Sequence, residues 1–151
     1  MPVSDRLAEL GIDLPPVAAP VAAYVPATRV GNQVWTSGQL PFVDGELTAV
    51  GKVGAAVSQD DAVAAARTAA LNAVAAAAEV AGGVDNIRRV LKVVVFVASE
   101  PGFTAQPAVA NGASNLLGEV FGDAGVHVRS AVGVAVLPLD SAVEVELVVE
   151  V

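Results

Sequence analysis

Hydrophobic and polar residues change their spacing repeatedly along the chain, and each change marks an element. Ser4 to Leu10 can make one or two helical turns with Ser4 as cap, before Gly11 and the Pro15-Pro16 pair force extended chain. Val21 to Leu40 is rich in β-formers and is interrupted at Gly31-Asn32, a tight-turn dipeptide between Thr28-Arg29-Val30 and Val34-Trp35-Thr36. Pro41 stops the second strand, and Asp44-Gly45 predicts a hairpin turn into Glu46-Leu47-Thr48. Ser58-Gln59-Asp60-Asp61 then opens a helix, with a capping hydroxyl and acids at the positive end of the dipole. That helix runs to about Ala81 and stops at Gly82-Gly83. Thr68, Asn72 and Glu79 mark one face of it; Val63, Ala70, Val74 and Ala77 mark another.

The run from Val90 to Ala98 is almost continuously apolar and β-branched, the pattern of a buried strand. A second helix is predicted from about Pro107 to Gly122, with Val109, Ala113, Leu116 and Val120 on one stripe. Val128 to Val136 and Ala142 to Val151 close the chain as strands, separated by Pro138. The order β-β-β-α-β-α-β-β predicts an α+β fold with helices on one face of a sheet. Residues 1–20 read as an N-terminal extension and 21–151 as a single domain. After Arg129 one strand face is Ala131, Gly133 and Ala135, small and flat. Such a face suits either a second subunit or the underside of the helices, and the pattern leaves both open.

Composition narrows the function. The chain of 151 residues has 54% hydrophobic but only 16% charged residues, an apolar surplus that points to a homo-oligomer. Its formal charge of −8 is the wrong sign for a protein that neutralises phosphates, so no nucleic-acid partner is expected. With no cysteine and a single histidine, disulfides, thiolate metal sites and His-rich centres are excluded. The Ala-rich run Val63 to Val80 is broken by Arg67, Asn72 and Glu79, and Met1 to Arg6 lacks an apolar signal core. No membrane partner and a cytoplasmic location are therefore expected.

The usual catalytic motifs are absent: no phosphate loop, and no glycine-flanked nucleophile elbow at Ser37. A Ser-His-Asp triad would have to use His127, and a lone histidine is more often a satisfied or surface side chain. Arg129 is more informative, because it begins an otherwise apolar strand where a guanidinium needs an acceptor. If the two closing strands pair antiparallel, Glu144 or Glu146 comes close to it. Either the pair is an ion pair that fixes the hairpin, or the arginine is presented to a substrate carboxylate.

Arg129-Ser130-Ala131-Val132-Gly133-Val134-Ala135-Val136-Leu137-Pro138, followed by Val143-Glu144-Val145-Glu146, resembles the C-terminal signature of the RidA (YjgF-like) family. Thr36-Ser37-Gly38-Gln39-Leu40-Pro41 resembles its first signature, with Tyr24 at the family's separation before Ser37. Asn111-Gly-Ala-Ser-Asn-Leu-Leu117 and Val120-Phe121-Gly122 resemble a less characterised branch. The resemblance implies a chorismate-mutase-like fold and a homotrimer with pockets at the interfaces. It also implies hydrolysis of 2-imino or enamine acids to 2-oxo acids and ammonia, with no metal or cofactor. Carried over by position, Arg129 grips the carboxylate, Glu144 positions water, Ser37 and Gly38 contact the imine end, and Tyr24 closes the pocket. The family's helix asparagine falls on Asn111 or Asn115, with Asn115 assigned to the substrate. Ala131 stands where the archetype commonly has cysteine, and Gly133 where it often has a larger residue. The alternative is a non-catalytic trimer that binds a small carboxylate metabolite; the endoribonuclease label of some relatives ranks third because of the acidic charge.

Overall fold

The β-branched run between the two helices becomes an interior strand, paired on both sides. The structure, a computed structural model, describes residues 1–20 and 22–151. The expected start of the β-rich stretch at Val21, and the domain boundary there, lie outside the described residues. The elements are α1 (Val3–Leu10), β1 (Ala27–Val30), β2 (Gln33–Thr36), β3 (Phe42–Val43), β4 (Glu46–Leu47), α2 (Gln59–Ala81), β5 (Arg89–Ala98), α3 (Gln106–Phe121), β6 (Val128–Val134) and β7 (Val143–Glu150). Both long helices match the predicted boundaries to within a residue. The Ser58 hydroxyl accepts from the Asp61 amide at 3.1 Å, as a cap does.

Five strands form one mixed sheet in the order β1-β2-β7-β5-β6. Strand β6 runs parallel to β5, because α3 returns the chain to the end of the sheet where β5 began; β7 is antiparallel to both β5 and β2. This overturns the expected pairing of the two closing strands, since β5 lies between them. The third predicted strand also stays out of the main sheet. Phe42–Val43 and Glu46–Leu47 make a separate two-stranded ribbon, turned by Asp44 and Gly45 at φ +52° and +81°.

Helices α2 and α3 lie side by side on one sheet face, α2 over β7, β2 and β1, α3 over β5 and β6. Between helices and sheet sits the core, with Val90, Val93, Val95 and Val97 of β5 and Val143, Val145, Leu147 and Val149 of β7. The apolarity of α2 reflects this packing: Ala62, Ala65, Ala66, Ala69, Ala70 and the stretch from Ala73 to Ala78 are all buried. Asn72, expected on a polar face, is buried too, where its amide donates to the Leu40 and Phe42 carbonyls at 3.0 Å each.

The N-terminal helix is tied down rather than free. Leu7 is buried, and Arg6 Nε donates to the Glu119 carbonyl at 2.8 Å. Ser4 is not the cap; Pro2 precedes the helix, and the Ser4 amide and hydroxyl donate to Asp85 at 2.8 and 2.7 Å. Those two bonds hold the Asp85 carboxyl below its ordinary value.

The second face of the sheet is covered by no helix. Val30 on β1, Trp35 on β2, and Val128 and Val132 on β6 stand 67%, 52%, 67% and 42% exposed there. The alternation of β6 settles which of its faces this is. Arg129 and Gly133 meet residues of α3 and Ala131 packs against the core. The small flat face of the strand therefore sits under the helices, and the valine face is the open one.

Candidate functional site

The residues singled out by sequence fall into two groups on opposite faces of the sheet. The first surrounds Arg129. Its Nη1 donates to Asn111 Oδ1 at 2.9 Å and to Ser114 Oγ at 3.2 Å, and Nη2 points to the Pro107 carbonyl at 3.5 Å. All three partners lie on α3. Nε makes no hydrogen bond among the described residues, so Nε–H and the adjacent Nη2–H remain as a free fork of the spacing that a carboxylate matches. Of the two asparagines left open by sequence, Asn111 is the one bonded to the guanidinium. Asn115 is exposed, one turn further along.

Ser114 was not singled out by sequence, yet it links Arg129 to the single histidine. Ser114 Oγ lies 2.8 Å from His127 Nε2, and His127 Nδ1 lies 2.6 Å from the Gly125 carbonyl. The signal was in the spacing. Asn111 and Ser114, three apart, share a helix face, and His127 and Arg129, two apart, share a strand face.

The second group surrounds Glu144 on the open face. The backbone of Gln39 exchanges hydrogen bonds with Val145 at 2.7 and 2.9 Å, which lays Gly38 against the Glu144 side chain. A Cβ on Gly38 would overlap Glu144 Oε1 and stand 2.7 Å from its carboxyl carbon. Ser37 Oγ donates to the Val25 carbonyl at 2.6 Å, and Tyr24 shares a small cavity with Gly38 and Pro26. Burial, with Glu146 two residues on adding like charge, raises the Glu144 carboxyl above its ordinary value. The group thus keeps a proton more readily than a solvated glutamate.

Arg129 and Glu144 do not meet within one chain. Arg129 stands opposite Val93 and Val93 opposite Leu147, three residues from Glu144 and two strands away. By strand geometry the two Cα atoms are roughly 14 Å apart, and their side chains leave opposite faces. The expected Arg129–Glu144 or Arg129–Glu146 ion pair is therefore absent. The charge of Arg129 is met by neutral acceptors only, which leaves it able to take an anion.

A cavity of about 600 Å³ lies elsewhere, between Leu14–Val17, Phe42 and Leu71, and includes none of the candidate residues. Its lining holds no guanidinium, imidazole or glutamate side chain, unlike the Arg129 and Glu144 groups. Among the described residues no cluster of three or more His, Asp or Glu side chains is placed to hold a metal ion.

Residues 4–151 match the family model described as "YjgF/chorismate mutase-like, putative endoribonuclease". The chain belongs to the YjgF family. The match takes in the N-terminal helix as well as both signatures. Protein TCP17 of Trypanosoma cruzi is 46% identical over 149 residues, 98% of this chain and 93% of that protein. Among solved structures, Agrobacterium tumefaciens Atu1372 is 44% identical with a TM-score of 0.89, covering 99% of this chain and 92% of that one. E. coli TdcF with bound serine is 26% identical with a TM-score of 0.62, covering 91% and 94%.

Two predictions arise from the Glu144 group. Replacing Gly38 with alanine forces only the end of a flexible side chain to move, so stability should change by no more than about 1 kcal/mol while the carboxylate is displaced. Activity assigned to Glu144 should fall by about tenfold or more with little change in melting temperature. The second concerns pH. Because the folded carboxyl titrates above the unfolded one, the native state binds more protons, and stability is lost as pH rises from about 4.5 through the folded value. Glu144→Gln removes that slope. Denaturant unfolding of the two proteins should show the variant gaining on wild type as pH rises above about 4.5, and a constant difference would contradict the assignment.

Proposed function

We propose that the protein hydrolyses small 2-imino or enamine acids to 2-oxo acids and ammonia, in pockets completed between copies of the chain in a homotrimer. The observation that carries this reading is the free fork of Arg129, held against α3 by Asn111 and Ser114 with no anionic partner. Such a fork selects a planar carboxylate. The similarity to TdcF with bound serine, a small amino acid with a carboxylate, supports the same class of ligand. The open valine and tryptophan face of the sheet supplies apolar surface for self-association.

The chemistry follows from the residues. An iminium is already electrophilic, so the chain has to anchor the acid and deliver water. Arg129 binds the carboxylate, fixing the imine carbon beside it. Glu144 of a second copy takes a proton from water as the oxygen adds to that carbon. Glu144 returns that proton to the nitrogen of the tetrahedral intermediate, then takes the hydroxyl proton as the C–N bond breaks and the carbonyl forms, and ammonia leaves with the 2-oxo acid. Gly38, with no side chain, leaves room for the Glu144 carboxyl, and Tyr24 lines a small cavity on Gly38.

The test uses an amino-acid oxidase to generate 2-imino acids and semicarbazide to trap what is not hydrolysed. Wild type should suppress trapping and Arg129→Ala should not. If wild type suppresses trapping for no amino acid yet still binds a 2-oxo acid, the reading gives way to a carboxylate-binding trimer without turnover.

A further inference from the structure

We infer that His127 is a positioning residue for Arg129, acting through the Ser114 hydroxyl. The inference rests on the reading of Arg129 as the carboxylate anchor. The Gly125 carbonyl can only accept, so His127 Nδ1 carries the hydrogen of that 2.6 Å bond. In the neutral ring Nε2 is then an acceptor, and the 2.8 Å contact with Ser114 is a bond donated by the hydroxyl. With its hydrogen committed to the histidine, Ser114 Oγ turns a lone pair to Arg129 Nη1 at 3.2 Å. The three bonds run in one direction, from guanidinium to hydroxyl to imidazole to carbonyl.

That direction matters for the fork. Without Ser114, the guanidinium is held by Asn111 at 2.9 Å and otherwise only by the long 3.5 Å contact of Nη2 with the Pro107 carbonyl, which leaves it free to tilt. Ser114 holds the second Nη1 hydrogen, and two acceptors on one nitrogen fix the plane, so that Nε–H, which makes no bond among the described residues, keeps one direction. Without His127 the hydroxyl has a competing acceptor in the helix carbonyl four residues back, as mid-helix serines commonly use. The base of the chain is itself rigid. A Cβ on Gly125 would overlap the Leu117 carbonyl, so this loop lies directly on α3 and its carbonyl is held in place. All three side chains are half-buried, which strengthens each bond relative to water.

Titration calorimetry of the assembled protein with pyruvate and 2-oxobutyrate tests this. His127→Ala and Ser114→Ala should each weaken binding by about tenfold, the scale of one charge-assisted hydrogen bond. The double variant should be no weaker than either single one, because the two act in series. His127→Gln, which offers an amide oxygen near the Nε2 position, should recover most of the loss. In turnover the loss should appear in KM, with kcat retained. Additive losses, or wild-type affinity in both single variants, would overturn the inference while leaving the role of Arg129 intact. Should His127→Ala not fold, Ser114→Ala with Ser114→Thr as rescue decides alone. Wild-type binding by Arg129→Ala would instead overturn the carboxylate reading, and the role of His127 with it.

Discussion

Gly112→Ala is expected to lower the melting temperature by several degrees, an unusual cost for so small a change in a helix. In an exposed helix the same substitution is worth about 1 kcal/mol in favour of alanine. Here the two helices approach at this residue. A Cβ would overlap the Val63 carbonyl oxygen and stand 2.9 Å from its carbon and 3.2 Å from Val63 Cγ1. The obstacle is backbone, so α2 and α3 must separate along a seam lined by buried alanines. Because the obstacle is backbone, the overpacking cost lies at the upper end, about 3 kcal/mol, which leaves a net loss of about 2 kcal/mol after the propensity gain. For a chain of this length that corresponds to a drop of roughly 4–8 °C. Gly118, on the same helix, is the control. Nothing lies within 4 Å of its Cβ position, so Gly118→Ala should raise the melting temperature by about 2 °C. Thermal unfolding followed by circular dichroism separates the two, and shifts of the same sign would contradict the packing described.

Arg129→Lys should be almost as damaging as Arg129→Ala, with kcat/KM for imine hydrolysis down by about a hundredfold or more. Lysine keeps the positive charge but presents a point rather than a fork. It also has no second nitrogen with which to hold Asn111 and Ser114 while binding a carboxylate. Because Arg129 makes only neutral hydrogen bonds at a partly exposed edge strand, folding should lose little, on the order of 1 kcal/mol. Retention of most of the activity by lysine would mean that charge alone is read at this site, and the bidentate geometry would be wrong.

Much of the fold was legible because local signals agree with the final packing. The Ser58 cap, the glycines after Ala81 and the uninterrupted valines of β5 each specify their element without long-range help. Strand order was not legible, because β6 and β7 are both apolar and alternating and nothing local tells either which neighbour it takes. That order depends on α3 carrying the chain back to lie parallel to β5, a global outcome. The error propagated to the site. Pairing the closing strands placed Arg129 beside Glu144, whereas the true order sets them on opposite faces. Arg129 still stood out by type, as an arginine in an apolar strand, whereas Gly38 was pointed to by the resemblance alone. Asn72 illustrates the converse. By helical spacing it is a surface residue, and it is buried because Leu40 and Phe42 bring two carbonyls to it.

The central claim is that Arg129 of one copy works with Glu144 of another, and complementation tests it most directly. Arg129→Ala and Glu144→Gln subunits, each inactive alone, are co-expressed and the mixed trimers purified. A site with Arg129 from one subunit and Glu144 from its neighbour is intact wherever a Glu144→Gln subunit supplies the arginine and an Arg129→Ala subunit the glutamate. Every mixed trimer, whichever variant it holds two copies of, has this arrangement at one of its three interfaces, about a third. Imine hydrolysis at about that fraction of wild type is the predicted result. Mixed trimers as inactive as either parent would contradict a site shared between subunits.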